Sequence, residues 1–174
     1  MTQTWLLRTA AFMARAGLLR PLAEATTAVR FVVRGESMEP AFSGGDYLLV
    51  SRLALLLRAP DRGAVVVVRA DWGAGPEYLK RIVGLPGERV QYKDGQLFIG
   101  GGAVPEPYLR LPPIPLDEPP LSWTLGDGDY LVFGDNRHRS ADSRHHGPVP
   151  RSALVGVAYF RYWPLSATGR LGTA

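Results

Sequence analysis

Short runs of apolar residues dominate the chain from residue 30 onward, and their spacing predicts β-strands. They are rich in Val, Tyr, Phe and Ile and are separated by Gly, Pro and Asp. The predicted strands cover residues 29–33, 46–51, 63–69, 78–83, 88–93, 96–100, 129–133 and 154–163. The continuous apolar run at 64–68 is typical of a strand buried on both faces. No alternation of strands with long helices occurs, so we expect a mainly β protein rather than a doubly wound parallel sheet.

Shorter signals refine this picture. Asp-Gly at residues 94–95 predicts a tight hairpin turn, because both residues tolerate positive φ. Residues 53–57 predict a short helical turn. Residues 103–120 hold seven of the chain's fifteen prolines, which excludes a central strand or a helix interior there. We interpret that segment as an extended surface loop or ribbon.

The first residues follow a helical pattern instead. Residues 4–28 predict a helix that Pro21 ends or kinks, with Arg8 and Arg15 on one face. The opposite face carries Leu6, Ala10, Met13 and Gly17. No run of 18 uncharged apolar residues is present, and arginines interrupt the stretch, so neither a transmembrane span nor a secretory leader is favoured. We expect an amphipathic arm at the membrane interface; a helix packed on the domain is the alternative.

Composition bounds the remaining possibilities. A chain of 174 residues suggests an arm, residues 1–29, and one domain, residues 30–174. The absence of cysteine excludes disulfides, thiolate metal sites and a cysteine nucleophile. Three histidines lie within nine residues, which favours a polar loop over a zinc site: His138, His145 and His146. The net charge is +4, and five arginines precede Ser37 against two acids, so the arm suits anionic lipid or nucleic acid.

Two motifs contain a candidate nucleophile and a candidate base. Ser37 lies in Gly-Glu-Ser-Met-Glu-Pro at residues 35–40, and Gly35 permits close approach of a substrate backbone. Lys80 lies in an apolar strand, within Tyr-Leu-Lys-Arg-Ile-Val at residues 78–83. A serine hydroxyl needs a base beside it, and a lysine kept neutral by burial can act as one. A turn serine and a surface lysine are the alternatives, which the two motifs together make less attractive. The pair therefore predicts a Ser/Lys hydrolase.

A third segment supplies polar partners. It contains Gly-Asp-Asn-Arg at residues 134–137 and Ser-Ala-Asp-Ser-Arg at residues 140–144. Ser140 can hydrogen-bond a lysine amine, and Asp142 and Arg144 share a face in an extended stretch, where they can form a charge pair. Alone, the segment would suggest a solvated loop.

Taken together, the three segments resemble the type I signal peptidases of bacteria, over about residues 31–163. The resemblance implies coiled antiparallel sheets, Ser37 as acylating nucleophile and Lys80 as general base, without metal or cofactor. It implies support from Ser140, the Asp142–Arg144 pair, Arg81, Asp135 and Arg137. Some members carry a serine where Gly35 stands, with its hydroxyl in the oxyanion hole. In this chain the Ser37 backbone N–H would carry more of that role.

The resemblance also implies how substrate is bound and where. Shallow pockets for small side chains would be lined by Phe31, Val33, Met38, Phe42, Tyr78 and Leu79. The implied partners are signal peptides of exported preproteins, cut after Ala-x-Ala, and membrane lipid bound by the N-terminal helix. The implied setting is a monomer at the bacterial cell membrane, with the catalytic domain on the extracytoplasmic face. The family usually has transmembrane helices before the serine motif, and this chain has the arginine-containing helix instead.

Two other functions stay open from the residues alone. The same dyad would serve a dedicated maturation protease or a self-cleaving relative, although no clear cleavage site appears before residue 31. A basic β domain that binds nucleic acid is the non-enzymatic alternative. It would need aromatics interleaved with Lys and Arg on one sheet face, and Lys80 and Lys93 are the only lysines. We therefore expect no nucleic acid partner.

Overall fold

The computed structural model describes residues 28–73, 75, 77–109 and 119–171. The predicted N-terminal helix lies outside the described residues, apart from its last position, which already belongs to the first strand. The middle of the proline-rich segment, residues 110–118, also lies outside them. In the part of the chain that is described, no helix has the length and apolar character needed to cross a membrane.

The described chain is mainly β, as the sequence predicts. Its strands are β1 Ala28–Val32, β2 Tyr47–Ser51, β3 Val65–Arg69, β4 Glu77–Gly84, β5 Arg89–Lys93, β6 Gln96–Ile99, β7 Gly102–Ala103, β8 Leu121–Thr124, β9 Asp129–Phe133, β10 Val149–Pro150, β11 Leu154–Trp163 and β12 Gly169–Arg170. Two short α-helices are present, α1 Leu53–Leu57 and α2 Ser143–His146, with 3-10 turns at Arg137–Arg139, Arg151–Ala153 and Leu165–Ala167. The sequence predicts eight of these strands within two residues at either end, and misses β7, β8, β10 and β12.

Two antiparallel sheets contain these strands. The larger has the order β1-β2-β11-β3-β4-β9-β10, with β12 paired to β11, and the smaller has the order β7-β6-β5-β8. The predicted hairpin joins β5 to β6, with Asp94 and Gly95 both at positive φ. All pairings among the described strands are antiparallel, which agrees with the implied fold.

The larger sheet curls strongly. Phe31 of β1 and Leu79 of β4 contribute to one apolar cluster although three strands separate β1 from β4 in the sheet order. Register shifts in β11 and in β4 increase the local twist. β3 lies between two apolar clusters, since Val65 and Val67 face one and Val66 and Val68 the other. The continuous apolar run therefore marks a strand buried on both faces, as predicted.

The curl leaves two strand edges open. β1 is the last strand of its sheet. β9 pairs with Arg81, Ile82 and Gly84 of β4, so the ladder between these two strands covers only the second half of β4. Phe31 and Leu79 pack in one cluster, so both open edges border the same region.

Candidate active site

Ser37 and Lys80 form a direct contact. Ser37 lies on the loop between β1 and β2, which is closed by backbone hydrogen bonds from Val33 N–H to the Asp46 carbonyl and from Gly45 N–H to the Val33 carbonyl. Lys80 lies in the middle of β4, and its Nζ is 2.8 Å from Ser37 Oγ. The lysine is 2% exposed, whereas the serine is half-buried. A buried amine thus reaches a hydroxyl that solvent and substrate can approach.

Burial makes the Lys80 amine a usable base. It lowers the pKa of Lys80 from 10.5 to about 8, and the charge of Arg144 adds to this effect. The carboxylates of Asp142 and Asp135 act in the opposite direction. A base whose pKa lies near the working pH combines a large neutral fraction with good proton affinity.

Gly134 allows the third segment to approach the dyad. A Cβ at this position would lie 2.2 Å from Ser140 Oγ and 2.4 Å from the Ser37 carbonyl oxygen. The backbone of Asn136 donates to the same Ser37 carbonyl at 3.1 Å. Only glycine therefore permits this packing, which ties the serine loop to the segment after β9.

Ser140 is buried in this cluster, where its hydroxyl makes no well-oriented hydrogen bond among the described residues but helps to hold the pKa of Asp142 below its usual value. The hydrogen bond to the Lys80 amine that the sequence predicts is not formed in the structure. Its role in orienting the amine remains a prediction.

Asp142 and Arg144 form a buried ion pair. Asp142 accepts from Arg144 Nε at 2.9 Å and Nη2 at 3.0 Å, and from the Gly134 backbone N–H at 2.9 Å. Burial opposes the charged carboxylate, but these hydrogen bonds hold the pKa of Asp142 below its usual value. Asp142 also caps α2 by accepting from the Arg144 backbone N–H. The predicted pair thus fixes the backbone of the segment after β9, next to the dyad.

Arg81 and Asp135 form a second buried pair. Arg81 Nε and Nη2 donate to the two Asp135 oxygens at 2.8 and 2.6 Å, and Nη1 donates to the Gly63 carbonyl. The bidentate geometry joins β4 to the end of β9 next to Lys80.

A third pair was not anticipated from the sequence. Arg137 donates through Nη2 at 2.5 Å and Nη1 at 3.1 Å to Glu106, which lies in the proline-rich segment. The Tyr108 hydroxyl donates to Glu106 at 2.5 Å, and its ring lies 4.0 Å from the Arg81 guanidinium carbon. In an extended chain, side chains at positions 106 and 108 lie on the same face, and this alternation is the sequence signal for a polar contact there.

The predicted pocket residues divide into two groups. Five of them belong to the apolar cluster between β1 and β4: Phe31, Val33, Met38, Phe42 and Leu79. All of these except Phe31 are buried. The sixth, Tyr78, lies outside that cluster, with its ring 5.7 Å from Lys80 Nζ and 5.2 Å from the Trp72 ring. A substrate side chain can contact the half-buried Phe31 and Tyr78 without rearrangement.

Gly35 leaves the other side of the serine open. Its φ is +76°, and a Cβ there would meet no atom of the described residues within 4 Å. The neighbouring Glu36 forms an exposed ion pair with Arg139. The approach to Ser37 is therefore open to an extended chain, while the base behind it is buried.

Comparison with known proteins gives one consistent family. A family model described as signal peptidase, peptidase S26, matches residues 4–163. A probable signal peptidase I-2 of Synechocystis sp. is 35% identical over 144 residues, which cover 80% of this chain and 65% of that protein. Signal peptidase IB of Staphylococcus aureus is 33% identical over 152 residues, 78% of each chain.

A solved structure is also similar. The signal peptidase I of Enterococcus faecalis V583 is 32% identical, with a TM-score of 0.49, and the match covers 57% of this chain and 97% of that one. This chain thus spans 65% of the Synechocystis protein and 78% of the staphylococcal one.

Proposed function

Because the chain belongs to the signal peptidase family, peptidase S26, we propose that it is a serine endopeptidase that removes signal peptides from exported preproteins. The observation that carries the proposal is the buried Lys80 amine 2.8 Å from the Ser37 hydroxyl. A dedicated or self-processing protease would use the same two groups, so the choice of substrate needs its own test.

The proposed reaction needs two side chains and one water. Neutral Lys80 accepts the Ser37 proton as Oγ attacks the scissile carbonyl, and the protonated amine then gives that proton to the leaving nitrogen. The acyl-enzyme is hydrolysed by a water that Lys80 activates in the same way, and Ser37 recovers its proton. The Ser37 backbone N–H stabilises the oxyanion, and Gly35 leaves room for it.

The substrate lies extended between the two open strand edges. The outer edge of β1 and the first half of β4, beyond its ladder with β9, are the two strand edges to which an extended peptide adds. The central side chains of the apolar cluster beneath are buried, so a bound peptide meets mainly its half-buried member Phe31. Small side chains fit against Phe31 and Tyr78 with the least rearrangement, which supports Ala-x-Ala before the cut.

The proposed setting is the bacterial cell membrane, with the domain of residues 30–174 on its extracytoplasmic face as a monomer. The arm of residues 1–29 binds lipid through its arginines and apolar face. Preproteins threaded through that membrane would present their signal peptides beside the domain.

The test is cleavage of an Ala-x-Ala preprotein by purified protein. We expect Ser37→Ala and Lys80→Met each to reduce kcat/KM by at least about a thousandfold. Lys93→Met, at the chain's other lysine, should behave as wild type, because Lys93 is exposed on the small sheet. Processing by either dyad variant at the wild-type rate would refute the mechanism, and cleavage of one preprotein in a panel would indicate dedicated maturation.

A further inference from the structure

We propose that Glu106 and Tyr108 are positioning residues. They hold the guanidinium groups of Arg137 and Arg81 in place and, through them, residues 134–144, which shield the Lys80 amine from water. They belong to the strap, defined as residues 104–109. The inference rests on the proposed function for its meaning in catalysis, but its central measurement does not require activity.

The strap is fixed on the body of the protein. Val104 N–H donates to the Leu97 carbonyl, and the Val104 side chain packs against the apolar cluster around Phe133. Leu109 N–H donates to the Glu106 carbonyl and closes a turn. The turn directs the side chains of Glu106 and Tyr108 inward, while Pro105 and Pro107 stay exposed.

Glu106 neutralises the buried guanidinium of Arg137. The side chains of Arg137 and Glu106 are 9% and 6% exposed, and the pair is bidentate. Burial alone would lower the pKa of Arg137, yet the Glu106 carboxylate raises it above the ordinary value. Without that carboxylate, the buried Arg137 guanidinium would have no counter-charge. Residues 134–144 would then have to move so that water could solvate it.

Tyr108 joins the strap to the strand of the base. Its hydroxyl donates to Glu106, and its ring covers the guanidinium of Arg81, the residue after Lys80. Burial and the Glu106 carboxylate raise the pKa of Tyr108 above its ordinary value, so the hydroxyl stays protonated as a donor.

Arg137 links Glu106 to the residues that surround the dyad. Its Nε donates to the Gly134 carbonyl at 3.1 Å, and the Gly134 N–H donates to Asp142. Gly134 in turn lies against the Ser37 carbonyl and Ser140. Loss of the Arg137 anchor therefore loosens the packing that surrounds the lysine.

The charges around the amine are balanced, so hydration decides its proton affinity. Three guanidinium groups face three carboxylates in this region, in the pairs Arg81–Asp135, Arg137–Glu106 and Arg144–Asp142. The groups that face Lys80 are Asp142, Asp135, Arg144, the hydroxyl of Ser37 and the ring of Tyr78. Glu106 is not among them, so it acts on the amine through structure rather than through direct charge.

The experiment is a lysine titration by NMR. The chain has two lysines, so ¹³Cε-lysine labelling gives two signals, which Lys80→Met assigns. We expect Glu106→Gln to raise the titration midpoint of Lys80 from about 8 by about one pH unit or more toward 10.5. Lys93, which is exposed, should titrate unchanged and serves as internal reference.

Glu88→Gln is the matched control. Glu88 accepts from Arg62 Nη2 at 2.5 Å in a single, more exposed ion pair, and it is not among the groups that face Lys80. Its loss should reduce stability without moving the Lys80 midpoint. Tyr108→Phe keeps the ring and removes the hydroxyl, and it should move the midpoint in the same direction by a smaller amount. If Glu106→Gln does not fold, the Lys80 midpoint is measured in Tyr108→Phe and Glu106→Asp instead. An unmoved midpoint in both would overturn the inference.

Kinetics gives the second readout. The limb of the kcat/KM profile that rises with pH should move by the same amount as the midpoint, so activity at neutral pH falls about tenfold per unit and returns at high pH. KM should change little. An unmoved Lys80 midpoint in a folded Glu106→Gln protein overturns the inference whether or not peptide is cleaved. A wild-type protein that cleaves no preprotein would refute the proposed function and leave the titration result standing.

Discussion

Lys80 imposes an electrostatic cost on the folded state. In the unfolded chain a lysine has its ordinary pKa of 10.5, whereas burial lowers the pKa of Lys80 to about 8 in the native protein. Between these values the unfolded state binds more protons, so the free energy of unfolding rises with pH in that window. Below pH 8 the cost is fully present, at about 3 kcal/mol by the standard conversion of 1.36 kcal/mol per pH unit.

Lys80→Met should therefore stabilise the protein while it abolishes catalysis. We expect the free energy of unfolding at pH 7 to increase by on the order of 2 kcal/mol, because the loss of the Ser37 contact offsets part of the gain. The difference from wild type should shrink as pH rises from 8 to 10.5. Urea unfolding across that range measures it, and a Lys80→Met protein less stable than wild type at pH 7 would contradict the argument.

Gly134 offers a second test at the scale of one residue. Gly134→Ala should destabilise the protein by about 2 kcal/mol or more and sharply lower activity, because the new methyl would overlap Ser140 and the Ser37 carbonyl. Gly128→Ala, where a Cβ meets no atom within 4 Å in the described part of the chain, is the control and should be neutral in both thermal unfolding and cleavage. Equal behaviour of the two variants would show that the packing at Gly134 is not essential.

At the scale of elements, the open edges of β1 and β4 predict how substrate backbone is recognised. Alternate amides of an extended peptide point to opposite sides, so a peptide between two edges is bonded through each of them in turn. N-methylation of any one of the three amides before the cut should raise KM at least about tenfold. Binding to one edge alone would spare alternate positions, and that pattern would exclude insertion between β1 and β4.

The sequence predicts the long strands well because their apolar periodicity is local. It also identifies Ser37 and Lys80 as candidates, since each lies in a dense motif, and the structure brings them into contact. β7, β10 and β12 escape prediction because two-residue strands have no period of their own. The Glu106–Arg137 pair escapes prediction because the two residues are 31 positions apart, and only the tertiary packing brings their charges together.

At the scale of the whole molecule, we expect the arm and the domain to have separable roles. Removal of residues 1–27 deletes the predicted amphipathic helix and keeps all described strands. We expect such a protein to bind anionic vesicles at least about tenfold more weakly and to cleave a soluble peptide as the full chain does.

The matched variant Arg8→Gln/Arg15→Gln keeps the length of the arm. It should show an intermediate loss of vesicle binding, and that loss should disappear at high salt, since charge is screened there. Flotation with phosphatidylglycerol vesicles measures both proteins, and unchanged binding by the truncated protein would refute the role of the arm.

The short ladder between β4 and β9 also has a consequence for the turnover rate of the enzyme. A peptide that adds a strand at this edge would make the same backbone hydrogen bonds before and after cleavage, so the product fragment would be held as tightly as the intact substrate. We therefore expect release of the product fragment from the sheet, rather than cleavage of the peptide bond, to limit the turnover rate.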